Sequence, residues 1–177
     1  MGPMVPAATS PAARLRAVSH PALGLPTTDM TAGSPAAADR IRAARARLAT
    51  RALEAAVDAD PTLRERHGEA GFRHLLRDID GYLERVARAV ASGDAAQVRE
   101  WAEWVAPVFR RRRVPMDDLI ALSEGVRVAL GAVVSGSDRA VADAALDAGI
   151  AVFRWHRGLA GDARRRNRYL FALYKGG

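Results

Sequence analysis

The sequence predicts an all-α protein, an antiparallel helical bundle of five to six helices. Apolar residues recur at steps of three and four from residue 39 to residue 157, which is the period of a helix with one buried face. No segment alternates apolar and polar residues for long enough to form a strand. Short connections between the helices make neighbours antiparallel. Hydrophobic residues make up 49% and aromatic residues 6% of the 177 residues, so we expect a core of Ala, Leu and Val.

Three regions follow from the composition. Residues 1–36 hold six of the nine prolines and are predicted to be a disordered N-terminal extension. Residues 37–160 are predicted to form the helical bundle domain. Residues 161–177 are predicted to be a basic C-terminal helix or tail.

The first two helices lie on either side of Asp60-Pro61. The first is predicted from the capping residue Asp39 to about Asp58, and Pro61 ends it. After a turn over residues 62–68, the second is predicted from about Glu69 to Ala91. The apolar stripes are Ile41, Ala44, Leu48, Ala52 and Ala55 in the first helix, and Phe72, Leu75, Leu76, Ile79, Leu83, Val86 and Val90 in the second.

Three further helices and a short sixth one complete the bundle. The third is predicted over residues 95–112 with a kink at Pro107, and the fourth begins after Pro115 with acidic residues in its first turn, where the helix dipole favours them. The fifth is predicted over residues 139–157 and the sixth over residues 163–174. Apolar positions in the third to fifth helices are Val98, Trp101, Val105, Val108, Leu119, Leu122, Val126, Ala129, Val133, Val141, Ala145, Leu146, Ile150 and Phe153.

The positive charge is concentrated at one end of the chain. Of the net charge of +7, residues 154–177 contribute +6 and residues 41–153 contribute none. Such an end favours an acidic partner such as nucleic acid. The candidate anion- or nucleic-acid-binding residues are Arg110, Arg111, Arg112, Arg113, Arg164, Arg165, Arg166 and Arg168. For the first four arginines, the structural alternative is an interaction with the dipole at the end of the third helix. For the last four, it is a helix that docks on the bundle through Tyr169, Leu170, Leu173 and Tyr174 and exposes its arginines.

No catalytic constellation is present. The absence of Cys excludes thiolate metal sites and Cys nucleophiles, and neither a phosphate-binding loop nor an HExxH or GxSxG motif occurs. We therefore predict a protein that is not an enzyme and has no metal site; a terpenoid- or haem-handling enzyme lacks the paired acidic motifs that its chemistry needs. Without an apolar secretion segment or a span of about 20 apolar residues, we expect a cytoplasmic protein.

Aromatic residues near the predicted kink mark a candidate ligand site. A flat hydrophobic ligand could lie there, although core packing explains the same stripe. The candidate residues are Trp101, Trp104, Phe109, Trp155 and His156. No cofactor is predicted; haem bound by His156, or another tetrapyrrole, is the open option.

Residues 66–122 resemble a known family. The pattern is Arg66-His67-Gly68, Gly71-Phe72, Asp78-Ile79, Tyr82-Leu83, Ala89, Gly93-Asp94, Trp101, Trp104, Arg113-Val114-Pro115 and Leu119. It is similar to bacterial stressosome RsbR-type N-terminal domains, and to helical segments that precede cobalamin-binding domains. This resemblance implies a globin-like bundle without haem, which acts as a sensory or scaffolding module through a pocket or a dimer face.

The functional prediction is a non-enzymatic regulatory or ligand-sensing helical domain that contacts a protein partner or forms a homodimer. The alternative is a nucleic-acid-associated protein that uses the Arg-rich segments.

Overall fold

A computed structural model describes residues 33–160 of the chain, without the side chains of residues 159 and 160. The predicted extension up to residue 32 and the predicted C-terminal segment, including the sixth helix, lie outside the described residues. The described part forms five helices: α1 (Pro35–Ala59), α2 (Thr62–Ser92), α3 (Ala96–Arg111), α4 (Met116–Leu130) and α5 (Gly136–Ala160). It contains no strand, and the predicted all-α bundle is confirmed.

Two layers of packing build the core. Helix α1 packs against α2 and α4, and α5 packs against α3 and α4. Apolar side chains from all five helices are buried together, which removes their surface from water. The largest fully buried apolar side chains are Ile41, Leu63, Leu83, Leu130, Leu146, Ile150 and Phe153.

Helix α1 begins four residues before the predicted start at Asp39. The Ser34 side chain accepts a hydrogen bond from the Ala37 backbone N–H at 3.3 Å, and Pro35 fills the first turn. The Ser34 backbone N–H donates to the Val90 carbonyl at 2.8 Å. The start of α1 is therefore held against the end of α2.

Helix α2 includes residues 62–68, for which the sequence predicts a turn. Thr62 to His67 are helical, and the helix breaks at Gly68, where φ is +59° and ψ is −179°. Glycine adopts this conformation without the steric cost of a side chain. The break lets His67 approach α4, as described below.

The structure also bears on the predicted ends of the fifth helix and on the predicted position of Pro107. Helix α5 begins at Gly136 and ends at Ala160, so it extends beyond residues 139–157 at both ends. Helix α3 continues from Ala96 to Arg111 with Pro107 inside it.

Helix α4 approaches α1 closely at Gly125. A Cβ atom added there would lie 2.2 Å from the Ala52 carbonyl oxygen of α1, which is closer than atoms can pack. A glycine at this position therefore sets the spacing between the two helices.

Candidate functional site

A small void lies between α2, α3, α4 and α5. Its volume is about 20 Å³, which is room for one water molecule but not for an organic ligand. Its walls are largely aromatic and aliphatic. It is lined by Asp78, Ile79, Tyr82, Trp101, Phe109, Leu119, Leu122, Ser123 and Phe153.

Stacked rings form one wall of the void. The rings of Tyr82 and Trp101 stack with centroids 4.7 Å apart and an interplanar angle of 21°. Phe153 meets Trp101 edge to face at 6.4 Å and 82°. These are favoured arrangements for aromatic pairs and fix the Trp101 ring in one orientation.

The Tyr82 hydroxyl is buried beside this wall. It makes no hydrogen bond within the described residues. The neighbouring Ser123 hydroxyl donates to the Leu119 carbonyl at 2.8 Å. Burial raises the pKa of Tyr82 to about 12, although Ser123 acts to lower it. The phenol therefore stays neutral at physiological pH.

Gly149 of α5 makes room for this hydroxyl. A Cβ atom on Gly149 would lie 3.0 Å from the Tyr82 oxygen and 3.0 Å from Val98. A larger residue at Gly149 would push on Tyr82 and thus on the stacked pair.

Asp78 places a half-buried carboxylate at the edge of the void. Burial raises its pKa, and the positive charges of Arg112, His74 and Arg77 act to lower it. Arg77 itself lies 2.8 Å from the Nδ1 atom of His74. Asp78 with Tyr82, Trp101 and Phe109 is called the Asp78 site below; it combines an acceptor of hydrogen bonds, flat aromatic surface and adjacent cations.

A second polar cluster joins α2 to α4 around the fully buried Asp118. Its two carboxylate oxygens accept from Arg66 at 2.6 and 3.2 Å, and one of them lies 2.8 Å from the His67 Nε2 atom. Arg66 also donates to Asp60 at 2.8 Å. Burial acts to raise the pKa of Asp118, but hydrogen bonds from His67 and Arg66 outweigh it and lower that pKa.

This Asp118 cluster has a structural role. A Cβ atom on Gly71 would lie 2.9 Å from the His67 Cβ atom, so the two glycines at 68 and 71 leave His67 free to reach Asp118. The acidic first turn of α4, predicted to interact with the helix dipole, also supplies Asp118 as the centre of an ion network.

The predicted ligand residues fall into two groups. Trp101 and Phe109 line the void, and Trp104 lies on the same helix with 70% of its surface exposed. Trp155 is 61% exposed and packs edge to face on His156 at 4.8 Å. Neither Trp155 nor His156 lines the void.

His156 itself is buried, and its Nδ1 atom makes no hydrogen bond within residues 33–158. Burial lowers its pKa; Arg110 acts in the same direction and Glu103 in the opposite one.

The predicted arginine run lies at the end of α3. Arg110 belongs to its last turn and Arg113 follows it with a φ of +62°. The positive charge of Arg112 acts to lower the pKa of Asp78. Arg164, Arg165, Arg166 and Arg168 lie outside the described residues.

Residues 33–160 hold no group of three or more His, Asp or Glu side chains that could bind a metal ion. Among the helices that the structure describes, none is long and apolar enough to cross a membrane.

Sequence reasoning missed Asp78, Tyr82 and Asp118 as site residues. Tyr82 is not among the apolar stripe residues predicted for the second helix, and the sequence alone indicates that both aspartates are surface charges. Their role depends on contacts between distant positions of the chain, which are 19 residues apart for Tyr82 and Trp101 and 52 residues apart for Arg66 and Asp118. The only local signal was the close spacing of Asp78 and Tyr82, one helical turn apart.

The bundle and this site define an all-helical protein with a small aromatic-lined void between four of its helices. The chain belongs to the phycobilisome protein family, which it matches over residues 29–152, more than half of its length. No curated protein matches it. The globin-like fold of this family agrees with the observed bundle.

This membership corrects the predicted family and function. The resemblance to stressosome RsbR-type domains is wrong, because its residues are mostly helix ends and core positions such as Gly93 and Pro115, which any similar bundle shares. The regulatory or sensing function and the nucleic-acid alternative are wrong as well, since the family indicates light-harvesting pigment proteins. Family members are structural light-harvesting components and not enzymes.

The prediction that no cofactor is bound is also wrong at the level of the family. Phycobilisome proteins covalently bind bilins, which are open-chain tetrapyrroles, and they assemble into oligomers. In the sequence, only the isolated histidines indicate a tetrapyrrole, through axial ligation of haem iron. A bilin needs no axial metal ligand, so histidines do not indicate its site.

The residues present fit a bilin only without a covalent bond. A thioether link to a tetrapyrrole requires a cysteine, and the 177 residues include none. The void of about 20 Å³ cannot enclose the pigment. The Asp78 carboxylate, the partly buried Trp101 ring and the cations that act on Asp78 nevertheless match the N–H groups, the flat conjugated surface and the propionates of a bilin.

Proposed function

We propose that this chain is a pigment-binding protein of the phycobilisome family that holds an open-chain tetrapyrrole at the Asp78 site without a covalent bond. The observation that carries the proposal is the half-buried Asp78 carboxylate beside the stacked Tyr82–Trp101 pair. When bound, the pigment supplies the absorption of light.

Asp78 acts as the acceptor for the pigment. A carboxylate accepts hydrogen bonds only, and in a partly dry site such charge-assisted bonds are about twice as strong as neutral ones. The pyrrole N–H groups of a bilin are donors that face inward in a row. Asp78 therefore selects for a ligand that presents several N–H groups to one oxygen pair.

The aromatic residues of α3 supply the packing surface. Trp101 is held rigidly by Tyr82 and Phe153, so it loses little freedom when a flat ligand covers it. Trp104, exposed on the same helix, extends this surface. Because the void holds only about one water, the pigment lies across its mouth.

Cations beside the site supply the remaining contacts. Arg77 and Arg112 both act on Asp78 electrostatically, and their guanidinium groups are suited to bind propionate carboxylates in a two-point contact. A pigment with two propionates gains affinity from them, whereas an uncharged flat molecule does not.

Addition of biliverdin to the purified full chain tests this function. We expect saturable binding with one pigment per chain, seen as induced circular dichroism in the visible region. Denaturation in acidic urea should then release all of the pigment, because no thioether forms. The absence of saturable binding, or pigment that stays on the denatured chain, would contradict the proposal.

A second proposal concerns assembly. Since family members form oligomers, we propose that this chain self-associates through Trp155 of α5, which exposes 61% of its surface. Exposed tryptophans are enriched among the residues that dominate binding energy at interfaces. The underlying edge-to-face contact with His156 holds the ring in place.

A further inference from the structure

An open groove lies between α1 and α2. Its volume is about 350 Å³. Four half-buried apolar side chains form its floor, and they are Leu53, Val57, Phe72 and Leu76. Apolar surface of this kind gains free energy when something covers it.

The α1 side of the groove is acidic. Asp58 makes no ion pair within residues 33–158, and Glu54 has one weak pair, with Arg51 at 3.5 Å. On the α2 side, Arg64 is already engaged, since it lies 5.0 Å over the Phe72 ring and pairs with Glu69 at 3.6 Å. The rim that lacks a partner is therefore negative.

The last described turn of α5 lies at the same end of the bundle as this rim. Arg157 donates to Asp117 at 2.7 Å, and the neighbouring Asp118 shares one Arg66 nitrogen with Asp60. Asp60 follows Asp58 by two residues. The chain thus leaves α5 at the end of the bundle where the acidic rim lies.

The sequence after α5 complements the groove in both charge and hydrophobicity. Residues 161–177 carry five basic residues and one acidic residue. The basic residues Arg164, Arg165, Arg166 and Arg168 come first, and the apolar series Tyr169, Leu170, Phe171, Leu173 and Tyr174 follows. Seventeen residues span up to about 60 Å when fully extended.

We propose that residues 164–174 fold back onto the α1–α2 groove of the same chain, with the arginines at the acidic rim and the aromatic series over the apolar floor. The groove then binds a segment of its own chain, which covers Phe72 and Leu76 and gives Asp58 a cationic partner. This inference is independent of pigment binding, because the groove and the Asp78 site lie on different parts of α2.

Cross-linking of paired cysteines tests the proposal, and the natural absence of Cys makes each introduced pair unique. The full-length variant Thr50→Cys/Ala172→Cys places one thiol at the groove and one in the aromatic series. The control Ala140→Cys/Ala172→Cys places the first thiol near the start of α5, about 30 Å from its end. Both are treated with a short bismaleimide, and the masses are measured.

We expect a cross-link within one chain for the groove pair, at a yield roughly ten-fold above that of the control, as the higher effective concentration dictates. Adding Asp58→Arg to the groove pair should lower this yield toward the control. Equal yields in the two pairs, cross-links found only between two chains, or no effect of Asp58→Arg would overturn the proposal. Far-ultraviolet circular dichroism of each variant verifies that it is folded.

Discussion

Asp118 is a charged side chain with no exposed surface, held by Arg66 and His67. Replacement of Asp118 by Asn removes one of the two carboxylates that pair with the partly buried Arg66, and Asp60 is the other. We expect the free energy of unfolding to fall by about 3 kcal/mol, because breaking a buried ion pair leaves a charge uncompensated. Urea denaturation measures this change.

The matched control is Asp117→Asn, one residue earlier. Asp117 pairs with Arg157 at the surface, so its loss should cost less than about 1 kcal/mol. Equal losses for the two variants would show that the burial of Asp118 is not what makes its ion pair important.

The same cluster predicts a dependence on pH. The folded state lowers the pKa of Asp118, so its ionised form stabilises the protein above the unfolded-state pKa of about 3.9. That stability is lost as pH falls through the folded-state pKa. The difference in unfolding free energy between the wild type and Asp118→Asn should therefore be constant from about pH 7 to pH 5 and shrink below about pH 4. A difference that grows on acidification would contradict this.

Arg113 adopts a left-handed conformation at the end of α3. Its φ is +62°, its N–H donates to the Arg110 carbonyl at 3.0 Å, and the Val114 N–H donates to the Phe109 carbonyl at 3.0 Å. This is the Schellman pattern, in which glycine is usual. We expect Arg113→Gly to raise the free energy of unfolding by about 0.5–1 kcal/mol.

Calorimetry of Arg113→Gly and Arg111→Gly separates this effect from the loss of an arginine. Arg111 lies in the last turn of α3, where a glycine should lower stability by up to about 1 kcal/mol. A lower melting temperature for Arg113→Gly would refute the argument.

At the residue scale, the sequence predicts acidic residues in the first turn of α4 but not their partners. The contact between Arg66 and Asp118 joins residues 52 positions apart. No local pattern encodes such a pair, since it depends on how α2 breaks at Gly68. The same holds for Asp78, whose importance arises from the aromatic rings that other helices bring beside it.

At the scale of elements, the closest approach is that of α4 to α1 at Gly125. Gly125→Ala would place its Cβ 2.2 Å from the Ala52 carbonyl oxygen, so the two helices must separate. We expect a loss of about 2 kcal/mol, which is typical of an overpacked core. Chemical denaturation provides the measurement.

Gly81 of α2 is the matched control, because a Cβ there meets nothing within 4 Å. Gly81→Ala should raise stability by about 0.5–1 kcal/mol through helix propensity alone. If both variants were stabilised, the close packing of α1 and α4 would be refuted.

The helices themselves follow from the sequence, because a period of three and four residues leaves few alternatives. The sequence predicts the ends of the helices less accurately. Ser34-Pro35 is a standard helix start, yet Asp39 was the predicted cap, since both residues satisfy the local rule. The contact of Ser34 with Val90 decides between them, and that contact is a property of the folded chain.

At the scale of the whole molecule, self-association should depend on Trp155. We expect Trp155→Ser to dissociate the oligomer, so that the particle mass measured by light scattering falls to that of one chain. Val128→Ser, which alters an exposed apolar residue of α4, should leave the mass unchanged. A wild-type protein that is monomeric at all concentrations would contradict the proposed interface.

The fold class could be predicted because it depends on patterns within single helices. The family could not, because its pigment site depends on which helices meet. Charge also misled the functional interpretation. The basic end of the chain suggested nucleic acid, whereas the groove beside Asp58 offers an acidic surface within the same molecule.

The central claim is that Asp78 holds an open-chain tetrapyrrole without a covalent bond. The most direct test is a titration of biliverdin into the wild type, Asp78→Asn and Asp80→Asn, followed by visible circular dichroism. Asp80 lies two residues further along α2 and pairs with Arg45 at 2.7 Å, so it is a matched control. We predict that Asp78→Asn weakens binding at least about ten-fold, as the loss of a charge-assisted hydrogen bond implies, and that Asp80→Asn binds like the wild type. Equal affinity of all three proteins would contradict the account.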